Sequence, residues 1–155
     1  MPTPLLSDPA ATTAFAHAAV PALARFGVAV IDISPGYVRL RMPLEGNANH
    51  VGTMYAGSLF AIAELPGGVL PWSVLSAGAV VPIVKKVCLE YRRPAVTDVE
   101  VQARMDPGQI RLLAEQAAEH GKADFDLELS VCDASGAVVM TAATTTQLRR
   151  IQSPA

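Results

Sequence analysis

One carboxylate stands in a stretch that otherwise carries no charge. From Met54 to Leu65 every residue except Glu64 is apolar, small or a hydroxyl. A helix that is apolar all round is buried all round, and a buried carboxylate is costly unless it is paired, hydrogen-bonded or protonated. Burial also raises its pKa and makes it a better base. The chemistry open to Glu64 is therefore proton abstraction or nucleophilic attack in dry surroundings. The stretch is entered from a polar loop, Asn49-His50-Val51-Gly52-Thr53. At such an entry the first backbone amides of the helix have no partner inside it and are available to a developing negative charge.

The rest of the chain limits what can surround this stretch. At 155 residues it reads as one domain, residues 1–155, with a helical segment over 1–26 and a core over 27–149. Apolar residues make up 51% and charged residues 17%, which excludes disorder and points to apolar surface covered by a second subunit. A net charge of −2 gives no basic footprint for nucleic acid, and no nucleic-acid partner is expected. The two cysteines, Cys88 and Cys132, lie in strand-like runs with no metal spacing. Two free thiols, no metal and a cytoplasmic location follow as expectations. No basic region followed by an apolar run opens the chain, so no secretory leader is expected. The uncharged run Leu65 to Val84 is long enough to span a membrane. Its prolines and glycines instead make it the end of a helix, a loop and the start of a strand.

The elements that must position Glu64 can be read in order. Ser7-Asp8-Pro9 starts a helix. Phe15, Ala19, Leu23 and Phe26 form its stripe, Pro21 breaks or kinks it, and Gly27 ends it. His17 is expected on its exposed side. Val28–Ile33 and Tyr37–Met42 read as strands about Ser34-Pro35-Gly36. Arg39 and Arg41 share one face there, suited to solvent or to an anionic ligand. The central helix should not run regularly far past Glu64, because Pro66 and two glycines follow. Pro82–Arg92 is a long strand, with Val84, Lys86, Cys88, Glu90 and Arg92 on one face. Asp98–Met105 is another strand. Asp106-Pro107-Gly108-Gln109 then opens a helix with Ile110, Leu113, Ala114, Ala117 and Ala118 on one stripe. Ala123 to Val131 alternates cleanly, Asp133–Gly136 turns, and Val138–Leu148 is the last strand, with fraying after it. The strands are expected to form an antiparallel sheet with one apolar face, giving an α+β architecture around the central helix.

Here the residues resemble a known family. Asn49-x-x-Gly52-Thr53-x-x-Ala56-Gly57, followed by Glu64, looks like the motif of hotdog-fold acyl-CoA thioesterases of the phenylacetate-pathway and 4-hydroxybenzoyl-CoA type. Tyr91-Arg92-Arg93-Pro94-Ala95 is similar to that family's segment after the long strand. The likeness covers about residues 25–149 and implies a curved antiparallel sheet wrapped around one central helix. It implies that Glu64 is general base or nucleophile, that Asn49 holds the attacking water, and that the Ala56 and Gly57 amides receive the thioester oxygen. The chain departs from the pattern at Tyr55, where the family often has His, at Ala56, where it has Gly, and at Val84, where it has a hydroxyl. Glu64 is itself the less familiar choice of acid and suggests a subgroup.

Glu64 and Ala56 lie about 12 Å apart on a regular helix at 1.5 Å per residue. They cannot meet on one carbon within one helix. The resemblance implies a homodimer, or a dimer of dimers, in which Glu64 of one subunit faces Ala56 and Asn49 of the other. The implied substrate is an acyl-CoA or acyl-carrier thioester, with no cofactor. His50, Tyr55, Lys85, Arg92 and Arg93 are the candidate substrate contacts, the arginines for phosphates. Two other readings use the same residues. One is an acyl-thioester dehydratase built on His50 and Glu64; the other is an acyl-CoA binder without catalysis.

Overall fold

A computed structural model describes residues 7–76 and 78–150. The expected fraying after Leu148 falls in part on residues 151–155, outside that range. Asp8 caps the first helix through its side chain, which accepts from the Ala11 amide at 2.7 Å. The helix breaks at Pro21, one of the two outcomes expected there: α1 (Pro9–Ala19) and α2 (Pro21–Phe26) form, with Gly27 in the left-handed region closing the second. The break changes the phase of the stripe. Thr12, Ala16 and Leu23 are buried, whereas Ala19 is exposed. His17 is half-buried rather than exposed, its Nε2 2.8 Å from the Val28 carbonyl.

The strands are β1 (Ala29–Ser34), β2 (Tyr37–Met42), β3 (Val80–Tyr91), β4 (Val99–Arg104), β5 (Lys122–Asp133) and β6 (Val138–Arg150). They form one six-stranded antiparallel sheet in the order β1-β2-β4-β5-β6-β3. Alternation decides the two faces. Phe125, Leu127 and Leu129 point to the core, and Asp124, Asp126 and Glu128 point away. Arg39 and Arg41 lie on the outer face, paired with Glu100 and Asp98. The inserted helix, α4 (Pro107–His120), is capped by Asp106 and buries Ile110 and Ala117; Ala118 is exposed.

The central helix, α3 (Ala56–Val69), lies on the apolar face, as the hotdog fold requires. Ile62, Ala63 and Val69 are fully buried there. The helix does not stop after Glu64. It runs through Pro66 for another turn and continues as a 3₁₀ turn over Leu70–Ser73. Pro66 costs one intrahelical bond. That loss is offset because Leu65, Pro66, Gly67 and Val69 are all packed in the core.

The face assignment in β3 also changes. A bulge at Lys85 falls between Val84, opposite Thr146, and Lys86, opposite Thr145. The extra residue shifts the alternation by one position. Val84 therefore shares the inner face with Val87, Leu89 and Tyr91, while Lys86, Cys88 and Glu90 point outward.

The helix lies close against the sheet at Gly67. A β-carbon there would lie 2.2 Å from Thr146 Oγ1 and 3.3 Å from Thr146 Cβ. Gly67→Ala should therefore lower the unfolding free energy in urea by about 1–3 kcal/mol. Adding Thr146→Ala to the same chain should restore most of it. An unchanged midpoint in Gly67→Ala would contradict this close approach.

Candidate active site at the start of the central helix

The loop that leads into α3 is built on two asparagines. Asn47 is buried. Its Nδ2 donates to the carbonyls of Phe26 at 2.7 Å and Pro43 at 2.9 Å, and its Oδ1 accepts from Ser58 Oγ at 2.9 Å. Its own carbonyl accepts from the Tyr55 amide at 2.8 Å. One side chain thus ties the end of α2, the loop and the first turn of α3 together. The sequence reading passed over Asn47; the only signal was a second Asn two positions before Asn49.

Asn49 folds the tip of the same loop. Its Oδ1 accepts from the amides of Val51 at 3.0 Å and Thr53 at 3.1 Å, and its Nδ2 donates to Thr53 Oγ1 at 2.9 Å. One hydrogen on Nδ2 is left for another partner. Gly52 supplies the left-handed turn, at φ 82°. The Met54 amide donates to the Ala95 carbonyl at 2.8 Å, which joins the loop to the Tyr91–Ala95 segment.

At the helix start, Tyr55 is the extended cap residue and gives no side-chain cap. Among the described residues the amides of Ala56 and Gly57 have no acceptor. The Tyr55 ring lies over Gly57, where a β-carbon would be 2.4 Å from its Cε1. On the other side, Tyr91 Oη donates to the Ala56 carbonyl at 3.2 Å.

Two clefts meet at this point. One, of about 380 Å³, is lined by Asn49, Ala56, Leu59, Tyr91, Arg92 and Arg93. The other, of about 560 Å³, is lined by Arg25, Asn47, Asn49, His50, Tyr55 and Ser58. Asn49 borders both. The structure thus brings Asn49, Ala56, Arg92 and Arg93 together, and sets His50 and Tyr55 on the far side of Asn49. Arg92 also pairs with Glu90. Lys85 belongs to neither cleft: it pairs with Asp124 on the outer face of the sheet.

Glu64 stands apart from both clefts, eight residues along α3 from Ala56. The helix is not covered all round. After Ala56, the residues of α3 that are not buried are Gly57, Phe60, Glu64 and Gly68, and their spacing makes one open stripe. Phe60 is 44% exposed on that stripe. Glu64 is half-buried, and burial alone raises its carboxyl above the usual carboxylate range. No charge or hydrogen bond contributes to that shift. Among the described residues no group of His, Cys, Asp and Glu could hold a metal ion, and no helix is long and apolar enough to cross a membrane.

The sequence pattern of a family described as a domain of unknown function, DUF4442, matches residues 9–148. The chain belongs to the DUF4442 family. A solved structure of PA5026 from Pseudomonas aeruginosa, a protein of unknown function named as a probable thioesterase, shares 42% identity and a TM-score of 0.84 with this DUF4442 chain. That match covers 97% of this chain and 100% of the other. A thioesterase from Haemophilus influenzae, HI1161, has the same fold at 12% identity and a TM-score of 0.65, covering 85% of each chain. PA1618 from Pseudomonas aeruginosa, also named a thioesterase, matches at 12% identity and a TM-score of 0.71, over 97% of this chain and 100% of that one. No curated protein matches the chain. The hotdog architecture inferred from the motif is thus the architecture of this DUF4442 protein, and its structural neighbours carry the same class of name as the resemblance.

The buried carboxylate gives a stability test. A raised folded pKa means that the folded state holds the Glu64 proton more tightly than the unfolded state does. Stability should fall as pH rises from the ordinary value of 4.5 through the folded pKa, and stay lower above it. Glu64→Gln has no such charge to bury. Its Tm should exceed that of the wild type at pH 7, and the two should converge below about pH 4.

Proposed function

We propose that the protein is a thioester hydrolase that cleaves an acyl-CoA, or an acyl-carrier thioester, to the free acid and thiol. The observation that carries this reading is one helix with two complementary features. Its free Ala56 and Gly57 amides open beside a cleft, and its one carboxylate, made more basic by burial, lies on an uncovered stripe. The names of the relatives, one of them at 42% identity, support the same reaction class.

In this reading the substrate carbonyl oxygen sits on the Ala56 and Gly57 amides, which stabilise the negative charge that forms as the carbonyl is attacked. Glu64 is general base for water or is itself the nucleophile. Asn49 uses its remaining Nδ2 hydrogen on the water or the substrate. Its oxygen is committed to the loop, so the contribution is that of a donor. The Arg92 and Arg93 cleft receives the phosphate-bearing arm, and His50 and Tyr55 line the neighbouring cleft for the other part of the substrate. Lys85 has no part in this arrangement.

The reaction requires two copies. Glu64 and Ala56 of one helix stand about 12 Å apart, so the acid and the amides that act together come from different subunits. Two surfaces favour this homodimer. One is the open stripe of α3. The other is β3, which among the described residues is an edge strand paired with β6 alone and exposes Val81, Ile83 and Val84. A long edge with apolar side chains is a template for pairing with another chain. A dimer of dimers and a cytoplasmic location complete the reading.

Two substitutions test it with a panel of short, long and aromatic acyl-CoAs, followed by free-thiol release. Glu64→Gln should reduce kcat by roughly 10²–10⁴-fold. Ala56→Pro removes one amide hydrogen at the first helical position, where proline fits the helix and the extended Tyr55 before it is compatible. It should keep the Tm and lose on the order of a hundredfold in kcat. Wild-type turnover in Glu64→Gln would sink the assignment. Tight binding of an acyl-CoA without turnover by the wild type would make the protein a binder.

A further inference from the structure

Two buried hydroxyls lie beneath the turn of α3 that carries Glu64. Their placement follows from two anchors. Thr146 Oγ1 lies 2.2 Å from the position of a β-carbon on Gly67. At the other end of the helix, Tyr91 Oη reaches the Ala56 carbonyl at 3.2 Å, and Tyr91 stands opposite Met140 in β6. Helix and strand β6 are thereby aligned, with Thr146 at the level of Gly67 and Met140 near the level of Ala56. Thr144 lies two residues from Thr146 toward the Ala56 end, roughly 6.6 Å along the strand at about 3.3 Å per residue. Glu64 lies three residues from Gly67 in the same direction, roughly 4.5 Å along the helix. The Glu64 level therefore falls between the two threonines.

Both side chains face the helix, because their neighbours across β5 are the inward Leu127 and Phe125. Thr144 is 3% exposed and Thr146 is 1% exposed, and neither hydroxyl has a hydrogen-bond partner among the described residues. An unpaired buried hydroxyl is unfavourable, and each one needs an explanation. Valine has the same shape and suits a strand at least as well, so packing alone does not call for threonine at either position. Glu64 has the opposite deficiency: its half-buried carboxylate has no donor. The elements packed on α3 are the inner faces of β2 to β6 and the 3₁₀ turn. Among the described residues the one charged side chain at an inner-face position is Arg150, at the far end of β6, where it donates to the Ala118 carbonyl at 3.1 Å. Tyr91 is their other titratable group, and it is engaged at Ala56.

We infer that Thr144 and Thr146 are positioning residues for Glu64, whose hydroxyls donate to its carboxylate, after a side-chain rotation or through one water, and hold it charged and oriented. Side chains three apart on a helix have β-carbons about 5–6 Å apart, and the Thr146 hydroxyl is 2.2 Å from the Gly67 β-carbon position, so it lies roughly 3–8 Å from the Glu64 β-carbon. The inference rests on the catalytic role proposed for Glu64.

The experiment compares wild type, Thr144→Val, Thr146→Val, the double valine variant and the two serine variants. The Glu64 carboxyl is titrated by carbon-13 NMR in the absence of substrate, its resonance assigned by its loss in Glu64→Gln. The pH profile of kcat/KM is measured with whichever acyl-CoA is turned over. In the double valine variant the Glu64 midpoint and the acid limb should both move up by about one pH unit. In the same variant kcat should fall roughly tenfold with KM little changed, and the serine variants should match wild type. If a valine variant does not fold, Thr→Ala at the same position gives the same reading. A folded variant lacking both hydroxyls with an unmoved Glu64 midpoint overturns the inference. Should no acyl-CoA be turned over, the hydrolase reading fails, while the titration still decides whether the threonines act on Glu64.

Discussion

The packing of α3 on the inner face of the sheet is the constraint on which the other features depend. A helix with almost no polar side chains must be covered, and a six-stranded sheet with one apolar face provides the cover. Leu40, Met42, Ile62, Met140 and Leu148 are fully buried at that contact. The fit is close enough that Gly67 has no room for a side chain over Thr146. It is also what allows Pro66 inside the helix. The bond lost at Pro66 is one term against a fully packed turn, so the chain stays helical where local propensity alone would end it.

A single sheet cannot cover a helix on every side, and the uncovered side is where the polar chemistry lies. The open stripe carries Glu64 between Phe60 and Gly68, and the helix start, with two amides free, borders a cleft through Ala56. That helix start is held by the bonds of the preceding loop. Asn47 fixes where the loop enters, and Asn49 fixes the shape of its tip. The loop therefore behaves as part of the scaffold, and its asparagines are structural before they are anything else.

Much of this was legible in the chain. The alternation in Ala123–Val131 and Tyr37–Met42, the caps at Asp8 and Asp106, and the glycine at 27 each correspond to a local physical rule, and each element formed. The motif from Asn49 to Glu64 pointed to the fold that the sheet and helix adopt. What failed were readings that needed tertiary information. A bulge is invisible in a pattern of two, so Val84 was grouped with Lys86, Cys88 and Glu90, which face the other way. Lys85 was a candidate contact beside the preferred pair Arg92 and Arg93, yet strand geometry sends Lys85 to the far face and sets the two arginines beside Asn49. Threonine is an ordinary strand residue, so nothing in the sequence distinguished Thr144 and Thr146 from their half-buried neighbours Thr141 and Thr145.

The bulge in β3 means that this strand is one residue longer than its pairing with β6 requires. Lys85 can therefore be removed from the chain without changing which residues face inward on either side of it, since Val84 and Val87 keep their partners Thr146 and Thr144. Most single-residue deletions in a strand would turn half of its side chains inside out. This position is an exception, a place where length variation between descendants of one ancestral chain would leave the core intact. What such a deletion would change is the local twist of the edge, and with it the angle at which another strand could lie alongside.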